Sequence, residues 1–123
     1  MHDAVFHLVP PDVWTAAVAA GDYRPASLAV EGFVHCSFAE QVSASADRHF
    51  GSDEELVAVE IPLPAVAAAL VVEDSYGSGT AFPHVYGPLD PTSARAVHRL
   101  ARGADGRWRF NPVGGSDRPA PGR

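Results

Sequence analysis

Apolar and polar positions alternate along this chain with two different periods, and the changes between them mark the elements. Val5-Phe6-His7-Leu8-Val9 is a compact apolar run closed by Pro10-Pro11, which predicts a first strand in a sheet interior. Trp14, Ala17 and Val18 recur at the spacing of one helical face between Pro11-Asp12 and Gly21, predicting an amphipathic helix of about three turns. Asp22 to Leu28 reads as an irregular connection. Glu31-Gly32-Phe33-Val34-His35-Cys36-Ser37 reads as a short buried strand. A helix follows from about Phe38 to Phe50, with Ala39, Val42, Ala46 and Phe50 as its buried stripe and Gly51 as its stop. Ser37-Phe38-Ala39-Glu40 has the Ser-x-x-Glu pattern of a capping box, so Ser37 is expected to open that helix.

Leu56-Val57-Ala58-Val59-Glu60-Ile61 alternates β-branched residues up to Pro62 and is the clearest strand in the chain. Pro64 to Ala69 is a turn or a single helical turn. Leu70-Val71-Val72-Glu73 is a further strand, leading into the polar, glycine-bearing loop Asp74 to Thr80. Pro83 to Leu89 alternates as a strand, as does Ala96 to Leu100, and the charges of Arg107-Trp108-Arg109-Phe110 suit an edge strand. Together these make a small α+β single domain over residues 1–110 with two main helices. Residues 111–123, rich in Pro, Gly and Arg with little to bury, are expected to form a disordered tail.

Strand alternation selects the candidate chemistry. In an extended chain, Phe33, His35 and Ser37 share one face while Val34 and Cys36 take the core side. The same parity, with Phe6 and Leu8 against the core, turns His7 away from it. His84 and Tyr86 share a face opposite Val85. Three strand histidines, His7, His35 and His84, thus fall on the polar parity of apolar segments, joined by Ser37, Tyr86 and the Glu73-Asp74-Ser75 cluster. Such a set suits a cleft that binds an anionic or polyhydroxylated small molecule and moves protons. Tyr23, Arg24 and Ser27 are secondary lining candidates, with Arg24 equally suited to a surface ion pair. Glu60 could be a strand-end carboxylate or part of the solvent face. The alternative for His35 is a satisfied core histidine, and for Ser37 a simple cap.

Other chemistries lack their signatures. No close ligand pair such as His-Glu-x-x-His announces zinc, and no metal ligands are assigned. His35-Cys36-Ser37 matches half of the paired His-x-Ser/Thr arrangement of two-histidine phosphodiesterases, but His7-Leu8-Val9 and His84-Val85-Tyr86 lack the second hydroxyl. Gly77-Ser78-Gly79 has the wrong spacing for a nucleophile elbow. The loop before Phe82-Pro83 lacks the lysine and helix of a phosphate loop.

Composition narrows the class further. A chain of 123 residues, 46% hydrophobic and 20% charged, builds an ordinary core. A net charge of -6 with 9 scattered basic residues argues against general nucleic-acid binding. One cysteine, no signal-like start and no long apolar run predict a cytoplasmic protein without a membrane partner. Cys36, aimed at the core, is expected to be inert.

Phe6-His7-Leu8-Val9, Tyr23 to Leu28, Glu31 to Ser37, Glu73-Asp74-Ser75-Tyr76-Gly77 and Phe82 to Leu89, in this order, resemble the bacterial domain of unknown function 952 family. That family's fold resembles the ADP-ribosyltransferase superfamily, including its RNA 2′-phosphotransferase branch. The resemblance implies a split, strongly bent mixed sheet around an NAD-sized cleft, with NAD as the candidate cofactor. It also implies roles by residue type: His7 on the ribose, Tyr86 or Tyr76 stacked on the nicotinamide, Glu73 or Glu60 steadying a ribosyl cation, and Arg24 near phosphate. Three readings follow. One is an enzyme of ADP-ribosyltransferase-like fold acting on a nucleotide or related metabolite, with His7, His35, His84 and Glu73 as catalytic groups and Ser37, Ser75, Arg24, Tyr76 and Tyr86 as binding groups. The second is a non-catalytic ligand-binding domain, and the third a structural domain whose histidines are buried and satisfied.

Overall fold

The computed structural model describes residues 2–51 and 54–110; the expected tail at 111–123 lies outside them. Strand β1 (Ala4–Val9) leads into helix α1 (Pro11–Ala20) and a short α2 (Ala26–Glu31). Strand β2 (Val34–His35), a 3₁₀ turn and α3 (Val42–His49) follow. Next come β3 (Val57–Pro62), the four-residue α4 (Leu63–Val66), β4 (Leu70–Glu73) and β5 (Phe82–Val85). The chain then forms β6 (Ala96–Arg99), β7 (Ala101–Arg102) and β8 (Trp108–Arg109).

The strands form sheets β1-β3-β6 and β2-β5-β4 and the ribbon β7-β8. All the pairings are antiparallel, where a mixed sheet was expected. β3 is central in the first sheet, with Val59 opposite both His7 and Val97. The alternating run at 56–61 thus becomes the best-buried strand of the domain, with Leu56, Ala58, Val59 and Ile61 at 1% exposure or less.

Two hydrophobic cores cover opposite faces of the first sheet. Val5, Val9, Val59 and Ile61 join Trp14 of α1, Val34 and Val85 of the second sheet, and Cys36 and Leu89 beyond its strands. Ala4, Phe6 and Ala58 join Val42 and Ala46 of α3 and Trp108 of β8. β8 is pinned to α3 where the Trp108 N–H donates to Asp47 at 2.8 Å. Because both faces of β1 are covered, the expected outward turn of His7 is corrected: it shares the Val5–Val9 side and is 6% exposed. In α1, Trp14 and Ala17 are buried, but Val18 is 54% exposed and outside the stripe.

Two local expectations are also corrected. Part of the connection at 22–28 belongs to α2, where Pro25 presets the entry, Ala26, Leu28 and Ala29 favour helix, and Gly32 closes it at φ 90. Its amide donates to the carbonyls of Ser27 and Leu28, the αL stop that only glycine adopts without strain. No α2 residue is buried, so it has no apolar stripe for a periodicity argument to find. At the other site, Ser37 does not cap: its Oγ donates to Ser45 Oγ at 3.0 Å. Gln41 does so instead, its Oε1 accepting from the Phe38 N–H at 2.9 Å while its own N–H donates to the Phe38 carbonyl.

The two three-stranded sheets touch through one bridge. Phe6 and Ser37 exchange both backbone hydrogen bonds at 2.8 Å, and the next exchange along an antiparallel edge would join Leu8 with His35. That exchange is absent among the described residues. Instead, His7 Nδ1–H donates to the His35 carbonyl at 2.6 Å, and His7 Nε2 accepts from the Tyr23 hydroxyl at 2.7 Å. The imidazole satisfies a carbonyl that strand separation would leave bare, and the strands diverge beyond it.

Burial pushes His7 down to about 4, despite the hydrogen bond to the His35 carbonyl, which acts the other way. The unfolded chain takes up this proton near pH 6.5, so between 6.5 and 4 it holds more protons than the folded chain, and stability falls as pH falls. At ~1.4 kcal/mol per unit, lowering the pH from 7.5 to 5 removes ~2 kcal/mol through this group. Urea unfolding of His7→Gln should show lower stability at pH 7.5 and a correspondingly shallower loss on going to pH 5; an unchanged pH dependence would remove His7 as its source.

Candidate functional site

Beyond the Phe6–Ser37 bridge, the diverging strands leave a cleft of about 850 Å³. Phe6, His7, Leu8, His35 and Ser37 form its strand wall, together with Phe82 and His84. Gln41, Ala44, Ser45, Arg48 and His49 line the opposite side, at the 3- and 4-residue spacing of one helical face. Tyr76 and Thr80 contribute from the loop between β4 and β5, which is tied to α3 where Gln41 Nε2 donates to the Ala81 carbonyl at 2.8 Å.

His35 and His84 are direct partners across β2 and β5. Since Cys36 N–H donates to the Pro83 carbonyl next to them, His35 and His84 occupy a non-hydrogen-bonded position, where facing side chains come closest. Their ring centroids are 5.4 Å apart at 75°. Each ring is held by one carboxylate. His84 Nδ1 is 2.9 Å from Glu73 Oε2, and His35 Nε2 is 2.6 Å from Glu31 Oε1. A carboxylate accepts from an N–H, which in a neutral ring leaves the lone pair on the other nitrogen. Those nitrogens, His84 Nε2 and His35 Nδ1, have no hydrogen-bond partner among the described residues.

Aromatic packing fixes the rings. Phe33, 5% exposed, stacks on His84 with centroids 4.0 Å apart and planes 12° from parallel, and meets His35 edge-on at 4.9 Å. Glu73 also accepts from the Tyr86 hydroxyl, and Ser75 Oγ lies 3.4 Å from His84 Nδ1. The Tyr86 and His84 hydrogen bonds hold the Glu73 carboxyl below its usual range. On the other ring, Tyr76 donates to Glu31 Oε2 at 2.8 Å and lies parallel to His35. His35, then Tyr76, lowers the Glu31 carboxyl in the same way, and desolvation with this hydrogen bond pushes Tyr76 up to about 12. Both carboxylates therefore stay ionised at neutral pH, ready to support an imidazolium.

The structure thus gathers His35, His84, Glu73, Ser75, Tyr76 and Tyr86 around one cross-strand pair, with Ser37 buried in the same wall. Glu73 and Tyr86 sit behind His84. His7 borders the cleft with both nitrogens engaged, which corrects the acid–base and ribose-binding roles expected of it. Arg24 is removed from the binding set: it is exposed and pairs with Asp22 at 2.7 Å. Glu60 belongs neither to the cleft nor to open solvent, being bound by Arg95 and His98 at 2.7 Å each. Cys36 is buried, and desolvation raises its thiol to about 12. The sequence reading missed Glu31, which reaches His35 from the end of α2, and the cleft face of α3. The spacing of Gln41, Ala44, Ser45, Arg48 and His49 was the available signal.

Among the described residues, no group of three His, Cys, Asp or Glu side chains is placed to hold a metal ion, and no helix is long and apolar enough to cross a membrane. No curated protein matches the chain. The crystal structure of protein CC0527 from Caulobacter crescentus is similar to it, with a TM-score of 0.76 and 29% identity over 86% of this chain and 93% of that one. The solution NMR structure of CC0527 gives 0.74 and 30% over 85% and 90%. Residues 8–97 match the family model described as protein of unknown function (DUF952). The chain, a small α+β domain with antiparallel sheets, belongs to the DUF952 family.

Proposed function

We propose that this protein is a small enzyme of ADP-ribosyltransferase-like fold, acting as a transferase on a nucleotide or related anionic metabolite through His35 and His84. The observation that carries this reading is the pair of carboxylate-held imidazoles, 5.4 Å apart, both lining a cleft of about 850 Å³ and each with one nitrogen unpartnered among the described residues. Structural histidines usually spend both nitrogens on the protein, as His7 does. A ring whose one N–H is anchored to a carboxylate presents a basic lone pair when neutral and a supported acid when protonated. Two such rings facing one volume can take a proton from an attacking group and return one to a leaving group. The split antiparallel sheet opening onto the cleft is compatible with the ADP-ribosyltransferase-like fold. NAD enters as one nucleotide of the class and not through a His7–ribose contact, since His7 has no nitrogen to offer.

Glu31 and Glu73 act through the rings and are positioning residues. Glu73→Leu removes the acceptor for His84 Nδ1–H; ¹⁵N NMR should show the ring moving from a single Nδ1–H tautomer to a mixture while the backbone spectrum stays folded. An unmoved tautomer would mean that another acceptor at Nδ1, Ser75 Oγ at 3.4 Å, holds the proton without Glu73. For the reaction, wild type is screened by ³¹P NMR against NAD, ADP-ribose and 2′-phosphorylated nucleotides. His35→Asn and His84→Asn should each lower turnover by about 10²–10⁴-fold with affinity changed only severalfold, and a bell-shaped pH dependence in wild type should lose a limb in each variant. Tight binding without turnover in wild type would assign the cleft to ligand binding alone.

A further inference from the structure

The cleft face of α3 carries a charge that the fold does not use. Arg24, Arg95, Arg99, Arg107 and Arg109 each pair with a carboxylate. Arg102 donates to the carbonyls of Gly51 and Glu54 and lies 4.0 Å over the Trp108 ring. Arg48 alone of these arginines has neither an ionic nor a hydrogen-bond partner among the described residues, and it lines the cleft with His49. Basic residues in a last turn also complement the helix dipole, but that role needs no cleft. His49 is held below its usual range by burial first, then by His35 and Arg48, so it brings a neutral imidazole and Arg48 brings the charge. Of its neighbours, Arg107 is spent on Asp47 of α3 and His2 on Glu40 at 2.8 Å. The same cleft is lined by the apolar side chains of Phe6, Leu8, Phe50 and Phe82, and its one lining carboxylate, Glu40, is held by His2.

We infer that Arg48 and His49 form the anion subsite of this cleft, and that its ligand is a phosphomonoester of a flat, weakly polar group such as a nucleoside. The arrangement gives each half of such a molecule a partner. The guanidinium takes phosphate oxygens through paired N–H donors, and the phenylalanine-lined wall takes the base. Arg48 is then the charge that selects a nucleotide over its nucleoside, and His35 and His84 face the atoms between. This inference rests on the proposed use of the cleft for a nucleotide-like ligand, yet it concerns recognition and not the reaction.

Calorimetric titration of the full chain with AMP, adenosine and inorganic phosphate tests it. AMP should bind at least about 10-fold more tightly than either fragment. Arg48→Gln should bring AMP to the level of adenosine while leaving adenosine unchanged, His49→Gln should give an intermediate loss, and Arg24→Gln should match wild type. Since Arg48 is exposed and unpartnered among the described residues, its replacement spares the fold, and unaltered adenosine binding checks this directly. AMP binding no tighter than adenosine, no binding of either, or discrimination that survives in Arg48→Gln would overturn the subsite. AMP binding that depends on Arg48, in a protein whose turnover is indifferent to His35→Asn and His84→Asn, would keep the subsite and overturn the proposed chemistry.

Discussion

The hydrogen bond from His7 Nδ1–H to the His35 carbonyl is the constraint on which the cleft depends. Two antiparallel strands that begin to pair ordinarily continue, because each step of separation strips partners from backbone groups that cost free energy when buried. Here pairing stops after one bridge. A side chain that stands between the His35 carbonyl and the Tyr23 hydroxyl must bond both. A neutral imidazole does so, and its burial keeps it neutral. An apolar residue leaves both partners bare. The sheets thus part where a buried imidazole takes the place of the next backbone exchange.

The same wedge sets the His35–His84 pair. Holding the His35 carbonyl toward β1 fixes the backbone plane of β2, and alternation then places Val34 and Cys36 in the main core and Phe33 and His35 on the opposite face. Core and candidate site are two faces of one short strand. The non-hydrogen-bonded register with β5 brings His84 alongside, and Phe33 occupies the space against it. A one-residue slip of β2 would bury His35 and expose Cys36, so the apolar pair specifies the geometry of the polar one.

The legible parts of the sequence were those with a clear inside and outside. Residues 33–37 alternate between a core face and a cleft face, and their parity carries directly into the structure. β1 does not alternate in this way because α1 and α3 cover both of its faces, so the rule that placed His35 misplaced His7. α2 was invisible because no residue of it is fully buried and only Leu28 packs on the core, and Glu31 was lost with it, its side chain reaching forward from a helix end that had been read as strand. Ser37 and Glu40 had the spacing of a capping box, yet Gln41 makes the cap while Ser37 and Glu40 turn to Ser45 and His2. Local patterns of this kind state what a side chain can bond; tertiary neighbours decide what it does. Arg48 and His49 fit a solvated helix end as well as a cleft, and only the position of β1 opposite them separates the two.

The two carboxylate-held rings differ in what supports them. Glu73 and His84 lie on paired neighbouring strands, the imidazole side chain is 2% exposed, and Phe33 stacks beneath it, so this half moves only if the sheet moves. Glu31 stands at the end of a six-residue helix, the His35 side chain is 40% exposed, and Tyr76 reaches both from a loop that turns through αL conformations at Gly77 and Gly79. Any displacement of that loop removes the Tyr76 hydroxyl from Glu31 and uncovers one face of His35 without disturbing His84. A ligand entering over the loop therefore meets one rigid imidazole and one whose hydrogen bonds can be remade around it. Such a division suits a site that must admit a molecule before it closes on it.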